Sequence, residues 1–568
     1  MAIYDFNGNP LALSNDIYIK DIKEKYPSYN DDQLLDAAIS SAKIIGASSR
    51  IIWDGTDIHF SGSTTHECKG FGGIDFNGSK IYMPNYDNGV ILSIVPDVTS
   101  ELSISGSVFG KNGVTDAALK DKVFSVFGNN SGLCLGTRQG FGTIQNWRPT
   151  LKTSADGKYE TGELFLVPTE ANVTLSNIHE YPAKTFQLCN ATIITYDSTN
   201  MSTFVSCSRS NTRIYNFVLQ GRSRVNTYHS GVFVCISCCD VEVDHISGIN
   251  PIVESLTSGY FLLLGSMTNV HVHDCFVGDG LSWGSVGCNH LINTVFERCY
   301  LNRWDCHYCQ NGYNIIRDCI LGNLEYGIGD GMIDVQDCIF QNRKTSNAVL
   351  FPIFLREDIV GVYEGNITIR NCIFDRGEQP ASQYVLWRDA CVYAKPSDSV
   401  VNSEPYALRH LEKCRILDGC KNLIVIGTNT SADKGMYSHV RVFINNTDII
   451  CSDTIVDAVG SAQDAIEEIA IDGCVIQSQC YVTKLLTNTP VKVSKCNFGI
   501  NALKIASNSA ELHVTDTKLS NITADASSAK LVANGNVFSS TQAVTSFTSY
   551  ALAGNIASDM ASVNKHSN

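Results

Sequence analysis

The sequence predicts an all-β chain built as a right-handed parallel β-helix, a single-stranded solenoid with a short N-terminal capping helix. Three observations predict it. Apolar strands of similar length recur every 20 to 30 residues, most of them end in Asn, Asp or Gly, and a cysteine keeps returning to the same place in the unit. No leucine-rich or helical repeat signature accompanies them.

The cysteine register is read from "VHVHDCFV", "NTVFERCYL", "YNIIRDCIL", "MIDVQDCIF" and "ITIRNCIF". These place Cys275, Cys299, Cys319, Cys338 and Cys372 at spacings of 24, 20, 19 and 34 residues. An apolar residue stands three before each of them: Val272, Phe296, Ile316, Val335 and Ile369. Another follows at once: Phe276, Tyr300, Ile320, Ile339 and Ile373. Upstream, Phe217 and Ile246 occupy the cysteine position; downstream, Cys474, Cys496, Thr517 and Asn536 do. Coils stacked about 4.8 Å apart put these residues in one inward ladder. Most of the 22 cysteines are therefore expected as reduced, buried, small apolar side chains.

Before the repeats, residues 1–29 are expected to be an attachment segment. Residues 30–60 hold the capping helix and first coil. Asn30 and Gln33 form a capping-box pattern. Leu34, Leu35, Ala38, Ile39, Ala42 and Ile45 make one apolar stripe, and Gly46 stops the helix. The solenoid is expected over 61–540, less regular from 60 to 170, with a long insertion at about 375–420. Residues 541–568 read as a small-residue tail.

Composition narrows the function classes. A net charge of −15 argues against a nucleic-acid binder. No apolar run is long enough for a membrane helix, and "MAIYDFNGNP" lacks the features of a signal peptide. Synthesis and folding in a cytoplasm are expected, consistent with reduced thiols. No cofactor is expected.

The stretch "NRWDCHYC", residues 302–309, concentrates reactive side chains. Registering the coils on the cysteines aligns Asp279, Arg303 and Asn323; then Leu281, Asp305 and Glu325; then Trp283, His307 and Gly327. Strand alternation turns Arg303, Asp305 and His307 to one side and Trp304, Cys306 and Tyr308 to the other. That separates Cys306 from His307 and removes a zinc site of the usual spacing. "HVHD" sets His271 and His273 on one face, but no metal site is expected.

The expected result is an exposed patch. Asp305 and Glu325, about 5 Å apart on adjacent rungs, would repel, and one would keep its proton. Two such carboxylates suit glycosidic bond cleavage, one as acid and the other as nucleophile or base. Arg303 suits an anionic sugar or phosphate, His307 an alternative general base, and Trp283 a sugar face. Asp279 lies at the edge, and Asp330 in "GIGDGM" is a third carboxylate. The alternative is a solvated ladder in which these acids simply pair with Arg303, Arg317 and Lys344. A basic island at 208–224 carries Arg209, Arg213, Arg222 and Arg224 without an acid, suited to an anionic polymer or else scattered surface arginine.

The "DDQLLDAAISSAKIIG" helix leading directly into β coils resembles the pectate-lyase-like β-helix proteins. With the "NRWDCHYC…NIIRDC" block it more narrowly resembles bacteriophage tailspikes and appendage proteins. The first coil, "IIWDGTDIHF", lacks the proline of the aromatic-Pro-x-Gly turn common there. The resemblance implies a homotrimer on the virion that acts at a bacterial surface. It implies a surface polysaccharide or teichoic-acid-like polymer as ligand, and tail or neck proteins as partners of the N-terminal segment. Three activities follow as expectations: glycoside hydrolysis, non-catalytic receptor binding, or polysaccharide lysis with Arg303 or His307 as base.

Overall fold

In the computed structural model the chain is a parallel β-helix. It describes residues 15–556 and 566–567, apart from 85–88, 128–133, 138–143, 147, 165–166, 169–170, 196–202, 222–229, 249–258, 279–283, 307–309, 328, 342–350, 356–362, 378, 390–406, 428–439, 460–465, 486–488, 507–510, 526–529, 541–543, 546 and 548. Successive coils pair in parallel. His66–Cys68 pairs with Val90–Ile94, and the same flank continues to Trp304–Cys306 and Leu324–Tyr326. One core runs from Ile19 to Leu552. No helix among the described residues is long and apolar enough to cross a membrane.

The inward ladder forms as expected. Cys275, Cys299, Cys319, Cys338, Cys372 and Cys414 are buried, and each of them is a free thiol. Thiols give way to hydrogen-bonding side chains toward the C-terminal end. The Cys414 backbone N–H donates to Thr447 Oγ1 (3.3 Å). Thr517 N–H donates to Asn536 Oδ1 (2.9 Å), and Asn536 N–H to Asn555 Oδ1 (2.9 Å). The residue before each ladder position turns the corner in the left-handed region. Asp274, Asp318, Asp337 and Asn371 have φ of 53°, 54°, 53° and 54°. Asn and Asp tolerate that conformation best among residues with a side chain, which is why these residues close the repeat.

The capping helix spans Asp31–Ile45, with both capping-box hydrogen bonds between Asn30 and Gln33. Leu34, Leu35, Ala38, Ile39 and Ala42 are buried as expected, whereas Ile45 is exposed. His66, fully buried, ties the helix to the coils through Asp32 (2.9 Å) and Asp36 (2.7 Å).

Several boundaries differ from expectation. Ile17–Tyr18 pairs with Ile51 and Ile52, Ile19 enters the core, and Ile19–Lys25 is a short helix, so the described part of the 1–29 segment packs on the start of the solenoid. Residues 375–420 hold Val385–Asp389 and Ala407–Glu412, both in register with coils on either side. The residues between them, 390–406, lie outside the described residues. Ser549–Ala553 pairs with Lys530–Asn534, which carries the solenoid past 540.

The irregular region after residue 60 holds the largest departure. Ser100–Ile104, Val123–Phe127, Thr150–Lys152 and Val173–His179 form an antiparallel sheet. It has its own small core around Leu119, Phe124, Val126, Leu151 and Leu175, closed against Ile292 of the solenoid. It docks on corner residues of the coils. Asn177 Nδ2 donates to Ser208 and Ser237 carbonyls (3.0 and 2.6 Å), and Arg148 N–H donates to His290 Nδ1 (3.2 Å).

Candidate functional site

Strand Trp304–Cys306 shows how alternation builds the predicted patch. Trp304 and Cys306 point into the core, and Asp305 points out. On the next coil Leu324 and Tyr326 point in and Glu325 out, with Asp305 and Glu325 as register partners. The two carboxylates are therefore neighbours on one outward column, as the sequence implied.

The expected exposure is wrong. Asp305 is 0% exposed and Glu325 1%. The cover comes from far away in sequence. Tyr260 lies across Gly287, where an added Cβ would sit 2.5 Å from its ring, and its hydroxyl donates to Asp305 Oδ2 at 3.0 Å. Val234 and Leu263 pack beside it on the same outward face. Arg303 fills the space between the acids: Nη2 is 3.1 Å from Asp305 Oδ2, and Nε pairs with Glu325 Oε1. Asn323 Nδ2 donates to Glu325 Oε1 (3.3 Å). The guanidinium offsets the mutual repulsion on which a retained proton depended. Among the described residues the arrangement is a buried acid–arginine–acid triad, closer to the pairing alternative than to a catalytic dyad.

His307, Trp283, Asp279, Arg222 and Arg224 lie outside the described residues. Asp330 sits apart, at the corner before Met332–Gln336, where its carboxylate accepts from the Gly331 N–H (2.6 Å). The basic island is not free of acids in space. Arg213 pairs with Asp244 (2.7 Å), and Arg209 is buried, donating to the Lys184 carbonyl (3.1 Å).

What the sequence missed is the continuation of the same column. Glu325 is followed by Phe354, Arg388, Val425 and Asp457 on successive coils. These last coils carry a groove of about 270 Å³ lined by Phe351, Arg388, Lys421, Val425, Asp453 and Asp457, among others. Phe351 and Phe354 rings are 6.2 Å apart, and the Arg388 guanidinium lies 4.8 Å over Phe351. Lys484 pairs with Asp453. Burial raises the Asp457 carboxyl above its ordinary value, a change that Lys484 opposes and the Asp453 charge adds to. The signal was the pairing of Phe354, Arg388 and Asp457 in one register, which uncertain loop lengths between coils concealed.

A larger cleft of about 680 Å³ separates the antiparallel sheet from the coils, lined by Asp97, Lys122, His179, Glu180 and Tyr181 among others. His179 is held there by the Asn177 carbonyl (2.7 Å) and Ser210 Oγ (3.2 Å).

The fold and this flank define a class: a parallel β-helix solenoid with a side sheet and a polar, aromatic outer groove. Its architecture is shared with the tailspike of Acinetobacter baumannii bacteriophage AP22, solved in complex with A. baumannii capsular saccharide. The match covers 87% of this chain and 82% of that one, at 14% identity and a TM-score of 0.55. The tailspike of Pseudomonas phage phi297 matches over 84% of each chain at 10% identity and a TM-score of 0.49. No family model matches the chain, and no curated protein matches it in sequence.

Proposed function

We propose that the chain is a phage tailspike or related appendage that binds a bacterial surface polysaccharide along its β-helix flank during adsorption. The observation that carries this is the outward column Phe354–Arg388–Val425–Asp457 with its groove. Aromatic faces, a cation and carboxylates in one concave strip match the hydroxyl-rich and charged surface of such a polymer. The capsular saccharide in the AP22 tailspike structure supports the ligand class.

Depolymerisation is a second proposal, favoured by one observation. Asp457 is a carboxyl whose proton is retained more readily by burial, in the same groove as Asp453, which pairs with Lys484. An acid and a carboxylate flanking a bound sugar are the parts of a glycoside hydrolase. Asp305 and Glu325 serve this role less well, being covered by Tyr260 and bridged by Arg303.

The test is binding of the purified chain to a panel of capsular and teichoic-acid-type polymers, followed by assay of reducing ends and of unsaturated-sugar absorbance. Phe351→Ala with Arg388→Ala should weaken binding about tenfold or more. Asp457→Asn should stop reducing-end release without loss of binding. Full affinity in the double variant excludes the groove. Unsaturated product would show a lyase, and binding without either product a pure receptor-binding protein.

Assembly as a homotrimer of parallel solenoids belongs to the same proposal. It is supported by an outward apolar stripe, Phe276, Tyr300, Ile320, Ile339 and Ile373, on five successive coils.

A further inference from the structure

A second outward flank, carried by other strands than those of the glycan groove, gathers imidazoles and carboxylates. Glu242 and His271 are register partners on the consecutive coils Cys239–Gly248 and Gly259–His273. His273, two residues on, points the same way. The His271 and His273 rings have centroids 4.4 Å apart. One ligand atom from each of Glu242, His271 and His273 lies within 4.8 Å of the other two. Ligands bound to a zinc-class ion at about 2.0–2.1 Å sit roughly 3.4 Å from each other, so small side-chain rotations close the set.

The surroundings orient these rings as outer partners orient metal ligands. His273 Nδ1 faces Asp274 Oδ2 at 2.7 Å, which turns Nε2 toward Glu242 Oε1 at 3.0 Å. His271 Nε2 faces Glu297 Oε1 at 3.0 Å. Asp244 and His245 form a second, overlapping set with His273. The local cations bond chiefly to the neighbouring acids, though Arg298 Nη2 also comes within 3.5 Å of His273 Nδ1 and Arg213 pairs with Glu242. Arg298 grips Asp274 (2.8 Å), Arg317 bonds Glu297 (2.6 Å), and Arg213 takes Asp244 (2.7 Å) while standing 3.6 Å from Glu242. Side chains of His271 and Glu242 are 41% and 39% exposed, so an ion has access from solvent.

We propose that Glu242, His271 and His273 bind one borderline divalent ion of the zinc class across two neighbouring coils. Two imidazoles and one carboxylate select such ions over calcium or magnesium. The ion takes the place of the proton shared between His273 and Glu242 and leaves open positions toward solvent.

The test is titration of the full chain with Co²⁺ alone, followed by calorimetry and visible absorption. The expected result is one ion per chain with a nitrogen- and oxygen-ligated spectrum lacking thiolate charge-transfer bands. His271→Gln and Glu242→Gln should each weaken binding about tenfold or more, with circular dichroism unchanged. Should one variant misfold, the other decides. Thiolate bands, no stoichiometric uptake, or undiminished binding in the folded variants would overturn the proposal.

Discussion

Arg303 is the residue on which the acidic pair depends. It spans Asp305 and Glu325 where neither carboxylate meets water. Removing one charge from a buried set leaves another uncompensated, at a cost of about 3–5 kcal/mol. Arg303→Leu should therefore destabilise the chain by about that much, and Asp305→Asn by less, since Tyr260 and Arg303 can still donate to the amide oxygen. Urea unfolding of the variants measures this; an Arg303→Leu chain as stable as the parent would show that the triad adds nothing to stability. The sequence made Asp305 and Glu325 legible as neighbours because alternation and the cysteine register are both local rules. It did not make their burial legible. The cover is Tyr260, 45 residues upstream, lying where Gly287 leaves room for a ring. No local periodicity carries that contact.

At the scale of elements, the coils were legible because turn after turn repeats one requirement: a left-handed corner followed by an inward side chain, most often a small one. The antiparallel sheet at 100–179 repeats nothing, so no register revealed it. Two histidines bond across its attachment to the coils. Burial pushes His290 down to about 3, aided by the Arg148 charge, while its Nδ1 accepts the Arg148 N–H. Burial lowers His179 as well, against the pull of the Asn177 carbonyl and with help from Arg209. Unfolded histidine titrates near 6.5. Both groups are thus depressed in the folded chain, and the unfolded chain binds more protons below that value. Their contribution is complete above about pH 6.5 and is lost as pH falls toward the folded values. Proteolysis within 100–179 should accelerate between pH 7.5 and pH 4.5, and His290→Asn should flatten that dependence by removing one titrating group. Equal cleavage rates at the two pH values would show that docking does not depend on these rings.

For the whole molecule, the stacking that aligns the core also aligns whatever faces out. Phe276, Tyr300, Ile320, Ile339 and Ile373 follow each other on five coils, a strip about 19 Å long at the usual rung spacing. Phe276 is 54% exposed and the others are half-buried. The column then turns charged, with Arg415 and Asp448 on the next two coils. A solenoid has no need of an apolar outer strip for its own core, and contiguous exposed apolar surface marks contact with another macromolecule. In a trimer with a threefold axis along the solenoids, each chain would present this strip to a neighbour. Light scattering should then give three times the 62.0 kDa chain mass. Ile320→Glu with Ile373→Glu should reduce it to a single chain while the β circular dichroism stays, because both side chains project from the outer surface of the coil. A parent chain that runs at the mass of one chain at micromolar concentration removes the trimer, and a double variant that stays trimeric moves the contact to another flank.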